Sequence, residues 1–367
     1  MRKFIYILSI LFIASCSSDN GSDSGSDTSN YDKEAMLTSW ADNIIVPAFE
    51  DYQQKVNTLN NDVTTFNGEV NLTNLNNLRS SWLEAYKAYQ HVGIFDIGKA
   101  TELKLTDKTN TYPTDTENIL ANINGTDYNL ETQAQYASQG FPALDYLLYG
   151  ITENDEDILD LYLNESGYSN YLTAITTQLK TTADAIVIDW NNTYRETFIN
   201  NSNVVTGSVN QMANNYIENF EKDVRAPKLG IPAGVFSNGV FYPEKVEAYY
   251  KNDISKTLLI EATKASQDFF NGVTFGTTTS GPGLKEFLDA VDATSDGEKL
   301  STIINNQYAT IFTEIDKLDD SFSDQISSNN SAMLTTYEAL QQNVVYIKLD
   351  MISALSLTID YVDGDGD

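Results

Sequence analysis

Apolar residues along this chain recur three and four positions apart, and long alternations of apolar and polar residues are scarce. A period of that length paints one face of an α-helix, so the sequence commits the chain to helices that bury a stripe against one another. The first expected helix covers 32–59, with Leu37, Trp40, Ile44, Phe49, Tyr52 and Val56 on one face and a kink at Pro47. The second covers 72–97, where Leu75, Leu78, Trp82, Ala85, Tyr89 and Val92 form a continuous stripe. Between 99 and 139 the period breaks, and the polar stretch with its turn dipeptide Asn124-Gly125 reads as a long connection with short elements. A short helix over 142–149 and a long one over 168–200 follow. The second half repeats the style without repeating the sequence, with helices expected over 204–224, 243–270, 283–291, 296–318 and 332–359. Pro243 suits a first helical turn, and Ser295 with Glu298 makes a capping box. Segments 225–238 and 273–282 read as loops. The expected fold class is all-α, with two packed four-helix-bundle-like units joined by long loops. One covers 31–200, and the other covers 201–367 and ends in an acidic tail.

The first thirty residues belong to neither bundle. Arg2 and Lys3 precede the apolar run 4–13, which closes on Ala14-Ser15-Cys16, and this order makes 1–15 a signal peptide. Ile13-Ala14-Ser15-Cys16 has the small residues and the cysteine of a lipobox, so Cys16 is the expected lipidation site and new N-terminus. The apolar run is shorter than the roughly 20 residues that span a bilayer. Cys16 is also the only cysteine, which excludes an intramolecular disulfide. Residues 17–30 contain only Ser, Asp, Asn, Gly and Thr, so 16–30 is expected to be a lipidated flexible tether. Serine rather than aspartate after Cys16 fits the outer membrane, and the acids just downstream fit display at the cell surface. The expected address is the cell envelope, with the membrane as one partner through the lipid anchor.

The formal net charge of -30, from 52 acidic against 22 basic residues, excludes nucleic acid as a partner, since phosphate binding needs a basic footprint. It keeps the surface solvated and favours cationic partners. The chain has one histidine, His91, so no His-x-x-x-His zinc peptidase can be built. A Ser/His/Asp triad would need His91 as its base, and no Gly-x-Ser-x-Gly elbow accompanies it. Cys16 is taken by the anchor, and no glycine-rich phosphate loop is present. Oxygen donors remain: Asp96, Asp115 and Asp145, with Tyr86, Tyr89, Tyr112 and Tyr146 near them in sequence and His91 as a lone nitrogen. Hard cations such as ferric iron or calcium prefer such ligands. The same residues have plainer roles, because tyrosines at helical spacing fill cores and a helix-borne aspartate is commonly a cap or solvated. Gly140 and Gly150 bracket the short helix, where backbone geometry alone accounts for them. The final Asp363-Gly364-Asp365-Gly366-Asp367 has the acid spacing that opens a calcium loop and lacks the later glutamate, so it reads as an acidic tail.

Several segments, in order, carry a family resemblance. They are Leu78-Arg79-Ser80-Ser81-Trp82, Tyr89-Gln90 and Phe95-Asp96-Ile97-Gly98, then Tyr112-Pro113-Thr114-Asp115 and the run 140–150 (GFPALDYLLYG). Pro227-Lys228-Leu229-Gly230 and the acidic ending complete the set. Together they resemble the imelysin family, two-bundle helical proteins of bacterial envelopes associated with iron uptake, some of them called peptidases. The family segment matching 140–145 usually reads Gly-x-His-x-x-Glu and is proposed to line a functional cleft. Here Pro142 stands at the histidine position and Asp145 at the glutamate position, and Gly93 occupies another acidic position. Proline has no side-chain lone pair, while aspartate keeps a carboxylate on a shorter arm.

The resemblance implies a non-enzymatic lipoprotein that binds a metal or small ligand between its bundles and takes part in iron or haem uptake. The implied cargo is iron or another hard cation, and the implied partner is a TonB-type receptor or other uptake component. A metal-dependent peptidase and an interaction scaffold that has lost the metal chemistry are the alternatives. The candidate ligands are Asp145, Asp96, His91, Tyr89 and Asp115, with Gly140, Pro142, Gly98, Tyr112, Pro113, Lys228 and Gly230 as further motif positions.

Overall fold

The structure, a computed structural model, describes residues 31–125, 127–201 and 207–361. The signal peptide, Cys16, the tether and the tail 363–367 lie outside the described residues.

Helix α1 (33–68) joins Lys33–Trp40, a π-helical turn Ala41–Ile45 and Val46–Gly68. Asp32 caps it, accepting from the Ala35 amide at 2.9 Å. Pro47, just after the π turn, has no N–H for the Asn43 carbonyl four residues back. That carbonyl accepts instead from the Phe275 amide of a distant hairpin at 2.8 Å. Helix α2 (Leu72–Val92) is capped by Asn71, which accepts from the Asn74 amide at 2.9 Å. Helix α3 (140–150) is Gly140–Asp145 widened into a π turn, Tyr146–Gly150. Helix α4 (166–200) runs from Ser166 to Asn200 through the π turn Trp190–Tyr194. In the second half, α5 (208–230) starts as Ser208–Glu218 and continues as a π-helical stretch, Asn219–Gly230. Helices α6 (Ser255–Phe270) and α7 (Leu300–Ile315) follow, and α8 (322–354) closes the C-terminal unit.

The apolar stripes decide the packing. Helix α1 lies between α2 and α4, with α3 set against them, and α5, α6, α7 and α8 pack as a second bundle. The expected all-α fold of two packed bundles with long loops is the one observed. Helix α2 lies on α6, which joins the bundles. Trp40 meets Phe269 at 4.9 Å between ring centroids and Phe95 meets it at 5.7 Å, so one hydrophobic cluster runs through both units. Among the described residues no helix is long and apolar enough to cross a membrane.

Four local expectations are corrected. The helix expected over 204–224 does not stop there, and the loop expected from 225 is helical to Gly230, because the wider i→i+5 turn accommodates Pro227. The helix expected from Pro243 begins only at Ser255. A single 3-10 turn, Pro243–Lys245, precedes it, and left-handed residues Ala248 (φ 56°) and Asn252 (φ 69°) turn the chain between them. Ser295 and Glu298 form no capping box but pair across a two-residue hairpin, Thr294–Ser295 with Glu298–Lys299. The helix Asp155–Asn164 was not expected at all, since its first turn is wholly acidic and only Ile158 and Tyr162 are buried.

Candidate functional site

The π-helical stretch of α5 is where the second bundle offers polar groups to the first. In a helix bonded i→i+5, residues four and five apart come round to one side. Asn219, Asp223 and Lys228 thereby face α2, and all three line a cavity of about 220 Å³ between the bundles. The intervening Glu221 and Arg225 turn inward to their own bundle, where Glu221 meets Lys348 at 2.9 Å and Arg225 meets the Tyr337 hydroxyl at 2.6 Å. From the N-terminal bundle the cavity receives Tyr89 and Gln90 of α2, Gly93 just past its end, and Thr106, Asn110 and Tyr112 of the connection. Gly93 is a wall: a Cβ there would lie 3.3 Å from Asn219 Nδ2.

One end of this chamber is saturated. Lys228, 2% exposed, forms an ion pair with Glu247, 1% exposed, and donates to Gln90 Oε1 at 2.9 Å. Gln90 Nε2 and Asn110 Nδ2 donate to Glu247 Oε1 at 3.2 and 2.8 Å, and the Tyr86 hydroxyl reaches the same oxygen at 3.1 Å. Burial lowers the Lys228 ammonium, and Glu247 opposes that shift.

The other end is not saturated. Among the described residues Asp223 receives only Asn219 Nδ2, at 3.1 Å, and desolvation, with Asp96 adding to it, pushes its carboxyl up to about 7. Asp96 is raised by burial as well, against the pull of the Thr106 and Thr101 hydroxyls. Its Oδ1 and the Tyr112 hydroxyl are buried without a hydrogen-bond partner among the described residues. The Tyr89 and Tyr112 phenols are raised well above their usual value by burial, next by Asp223 at Tyr89 and by Glu247 at Tyr112. Among the described residues neither Asp96 nor Asp223 has an ion-pair partner, and desolvation without a matching cation favours the protonated form of each.

Asp145 lies elsewhere. Gly140 (φ 75°) starts its helix where a Cβ would sit 2.2 Å from the Thr109 carbonyl oxygen, so only glycine fits. Pro142 is tolerated as the third residue, whose N–H would have no acceptor within the helix. Asp145 is 2% exposed and accepts from the Tyr250 and Lys251 amides, each at 2.8 Å. Burial pushes it up to about 7 against those two bonds. The space beside it is about 20 Å³. Asp145 therefore pins the turn that carries Glu247 into the chamber.

Of the sequence candidates, the fold gathers Tyr89, Tyr112 and Lys228 around the chamber and sets Asp96 against Asp223 behind it. Asp115 is a helix cap that accepts from the Asn118 amide at 3.0 Å, outside the chamber. His91 is on another face of α2, 3.0 Å from Glu261. Sequence reasoning did not reach Asp223, Glu247, Asn219 or Asn110. Asp223 sits in Glu221-Lys222-Asp223, which reads as a solvated helical face, and Glu247 lies in a segment that reads as plain helix. The one available signal was Pro227 inside a helical run, which forces a wider turn.

Chemically, the chamber lining offers the Asp223 and Asp107 carboxyls, the Tyr89 and Tyr112 phenols and amide oxygens, with Asp96 behind it, a donor set for a hard cation with few charges. It does not fit a site of three or more His, Cys, Asp or Glu ligands, and no such group exists among the described residues.

Fold and chamber together define an all-helical, two-bundle protein with a polar cavity where the bundles meet. The chain belongs to the imelysin family: the family model for imelysin, peptidase M75, matches residues 45–348. Two solved structures share the fold. One, named as an iron-regulated protein A precursor from Parabacteroides distasonis ATCC 8503, is 15% identical, with a TM-score of 0.72 over 88% of this chain and 95% of that one. The other, an imelysin-like protein from Psychrobacter arcticum 273-4, is 16% identical, with a TM-score of 0.65 over 90% of this chain and 97% of that one. Among curated proteins no sequence matches.

Proposed function

We propose that this protein is a lipid-anchored envelope protein that takes part in iron uptake by binding a hard cation, iron as cargo, in the chamber between its bundles. The observation that carries the reading is Asp223, a carboxyl of the cavity lining raised by desolvation and by Asp96 behind it, in a cavity also bordered by the Tyr112 hydroxyl, which has no hydrogen-bond partner among the described residues. A cation arriving there replaces the proton held by Asp223, whose carboxyl is pushed up to about 7. Lys228 is already matched by Glu247 and leaves Asp223 free for the cargo. The name of the Parabacteroides structure and membership of the imelysin family support iron as that cargo. A chamber of about 220 Å³ admits an ion with waters, and it is too small for haem. In this reading Cys16 holds the protein to the outer membrane, and a TonB-type receptor or another uptake component exchanges cargo with it.

Peptide hydrolysis would need an activated water or nucleophile, and His91 is outside the chamber with its Nε2 engaged by Glu261. The cation reading is tested by calorimetric titration of the purified protein with ferric citrate. Saturable binding to one site is expected, weakened about tenfold or more in Asp96→Asn. Absence of saturable binding, or an unchanged affinity in the variant, removes the cation reading and leaves interaction with a partner protein as the role of the fold.

A further inference from the structure

The line along which α2 meets α6 has two sides, and the chamber occupies one. On the other side lies a larger groove of about 770 Å³, lined by α1, α2, α6 and the hairpin 273–279. Each of the three helices contributes an alanine to its floor: Ala48, Ala88 and Ala265. Phe95, Phe269 and Phe275 belong to the same lining, with Phe95 and Phe269 almost fully buried and Phe275 partly exposed. The hairpin is held in place by two bonds of 2.8 Å, from the Phe275 amide to the Asn43 carbonyl and from the Thr274 amide to the Thr279 carbonyl. The Phe275 ring meets His91 edge-on at 5.8 Å, and His91 Nε2 lies 3.0 Å from Glu261 Oε2 across the bundle boundary.

The charge around this groove departs from that of the chain. Acids outnumber bases 52 to 22 overall. Here Lys55, Lys87, Lys264 and the sole histidine face four carboxylates, so both signs are present in near balance. The rim pairs are exposed, as with Lys87 and Glu84 at 3.2 Å, and pairs of that kind contribute little and can re-pair with a ligand. An anion is repelled by most of this surface and tolerated here, while an apolar body finds the partly exposed Phe275 ring beside the alanines.

We propose that the groove is a second binding site, independent of the chamber, for a small zwitterion with an apolar body, of the size of a hydrophobic dipeptide or tripeptide. The Phe275 ring and the alanine floor receive the apolar side chains, the lysines receive the carboxylate, and Asp51 and Glu84 receive the ammonium. A volume of about 770 Å³ suits such a molecule, as it lies within the usual range for small-ligand pockets.

The test is calorimetry on the purified protein with phenylalanyl-phenylalanine as probe, beside its C-terminal amide, its N-acetyl form and glycylglycine. The dipeptide is expected to bind saturably at one site. Each blocked form is expected to bind about tenfold more weakly, and glycylglycine not to bind. Ala265→Phe fills the floor and is expected to abolish dipeptide binding while ferric citrate binding in the chamber persists. Lys264→Ala, on the exposed rim, guards against a folding defect and is expected to weaken the dipeptide severalfold. No saturable dipeptide binding to the unaltered protein, equal binding of the blocked forms, or full binding by a folded Ala265→Phe variant each overturns the proposal. Because the two titrations use different probes, failure of this site and failure of the chamber are read separately.

Discussion

Asp145 and Asp223 are the same side chain, both pushed up to about 7 with desolvation as the largest cause, yet they do different things. Asp145 has two backbone amides aimed at its two oxygens and almost no free space beside it. Asp223 has one amide bond, a second carboxyl in its field and a cavity in front of it. A shifted carboxyl is therefore not by itself a sign of binding. What separates a fastener from a ligand is whether the protein has already satisfied the oxygens.

The largest way to disturb this contrast lies beside Asp223. Lys228→Met leaves Glu247 buried without its cation, and loss of about 3–5 kcal/mol in urea unfolding is expected. A loss under about 1 kcal/mol would mean that the pair is not buried as described. Asp145→Ala comes next: two buried amides lose their acceptor, and a cost of about 2–4 kcal/mol is expected, with faster amide exchange at Tyr250 and Lys251 than elsewhere in the C-terminal bundle.

That cost carries a pH signature. The Asp145 carboxyl titrates at about 7 when folded against 3.8 for its ordinary value, so the folded chain keeps a proton that the unfolded chain releases. Its contribution to stability is full below about pH 4 and is lost as pH rises through about 7. The stability gap between the unaltered protein and Asp145→Ala should narrow from about pH 4.5 to about pH 8, and a widening gap would contradict the assignment. Asp223→Asn should be far milder, within about 1 kcal/mol of the unaltered protein, because it removes a desolvated acid that has one hydrogen bond. His91→Ala should move stability least, by under about 1 kcal/mol, since its pair with Glu261 is partly solvated.

The sequence made the architecture legible because the apolar stripes of α1, α2 and α4 have no second interpretation: Leu78, Trp82 and Ile175 are wholly buried where their spacing puts them. It made half of the chamber legible, through Tyr89, Asp96, Tyr112 and Lys228. The other half depends on a helix that changes its hydrogen-bond register over Asn219–Gly230, and a change of register rotates which residues look inward. A stripe read at a period of 3.6 residues therefore misplaces Asp223. Glu247 was hidden for a related reason, since the left-handed backbone at Ala248 interrupts a segment whose composition suits a helix. Asp145 was legible as important and illegible in role, because two backbone amides arriving from 105 and 106 residues away leave no trace beside it in the sequence.

The most direct measurement sets the two aspartates side by side in one ferric citrate titration. The account predicts that Asp223→Asn, folded and nearly as stable as the unaltered protein, loses at least about tenfold in affinity, while Asp145→Ala, though less stable, binds as before when measured at a temperature where it is folded. Undiminished binding by Asp223→Asn, or loss confined to Asp145→Ala, would contradict it and move the cargo site to the corner occupied by α3.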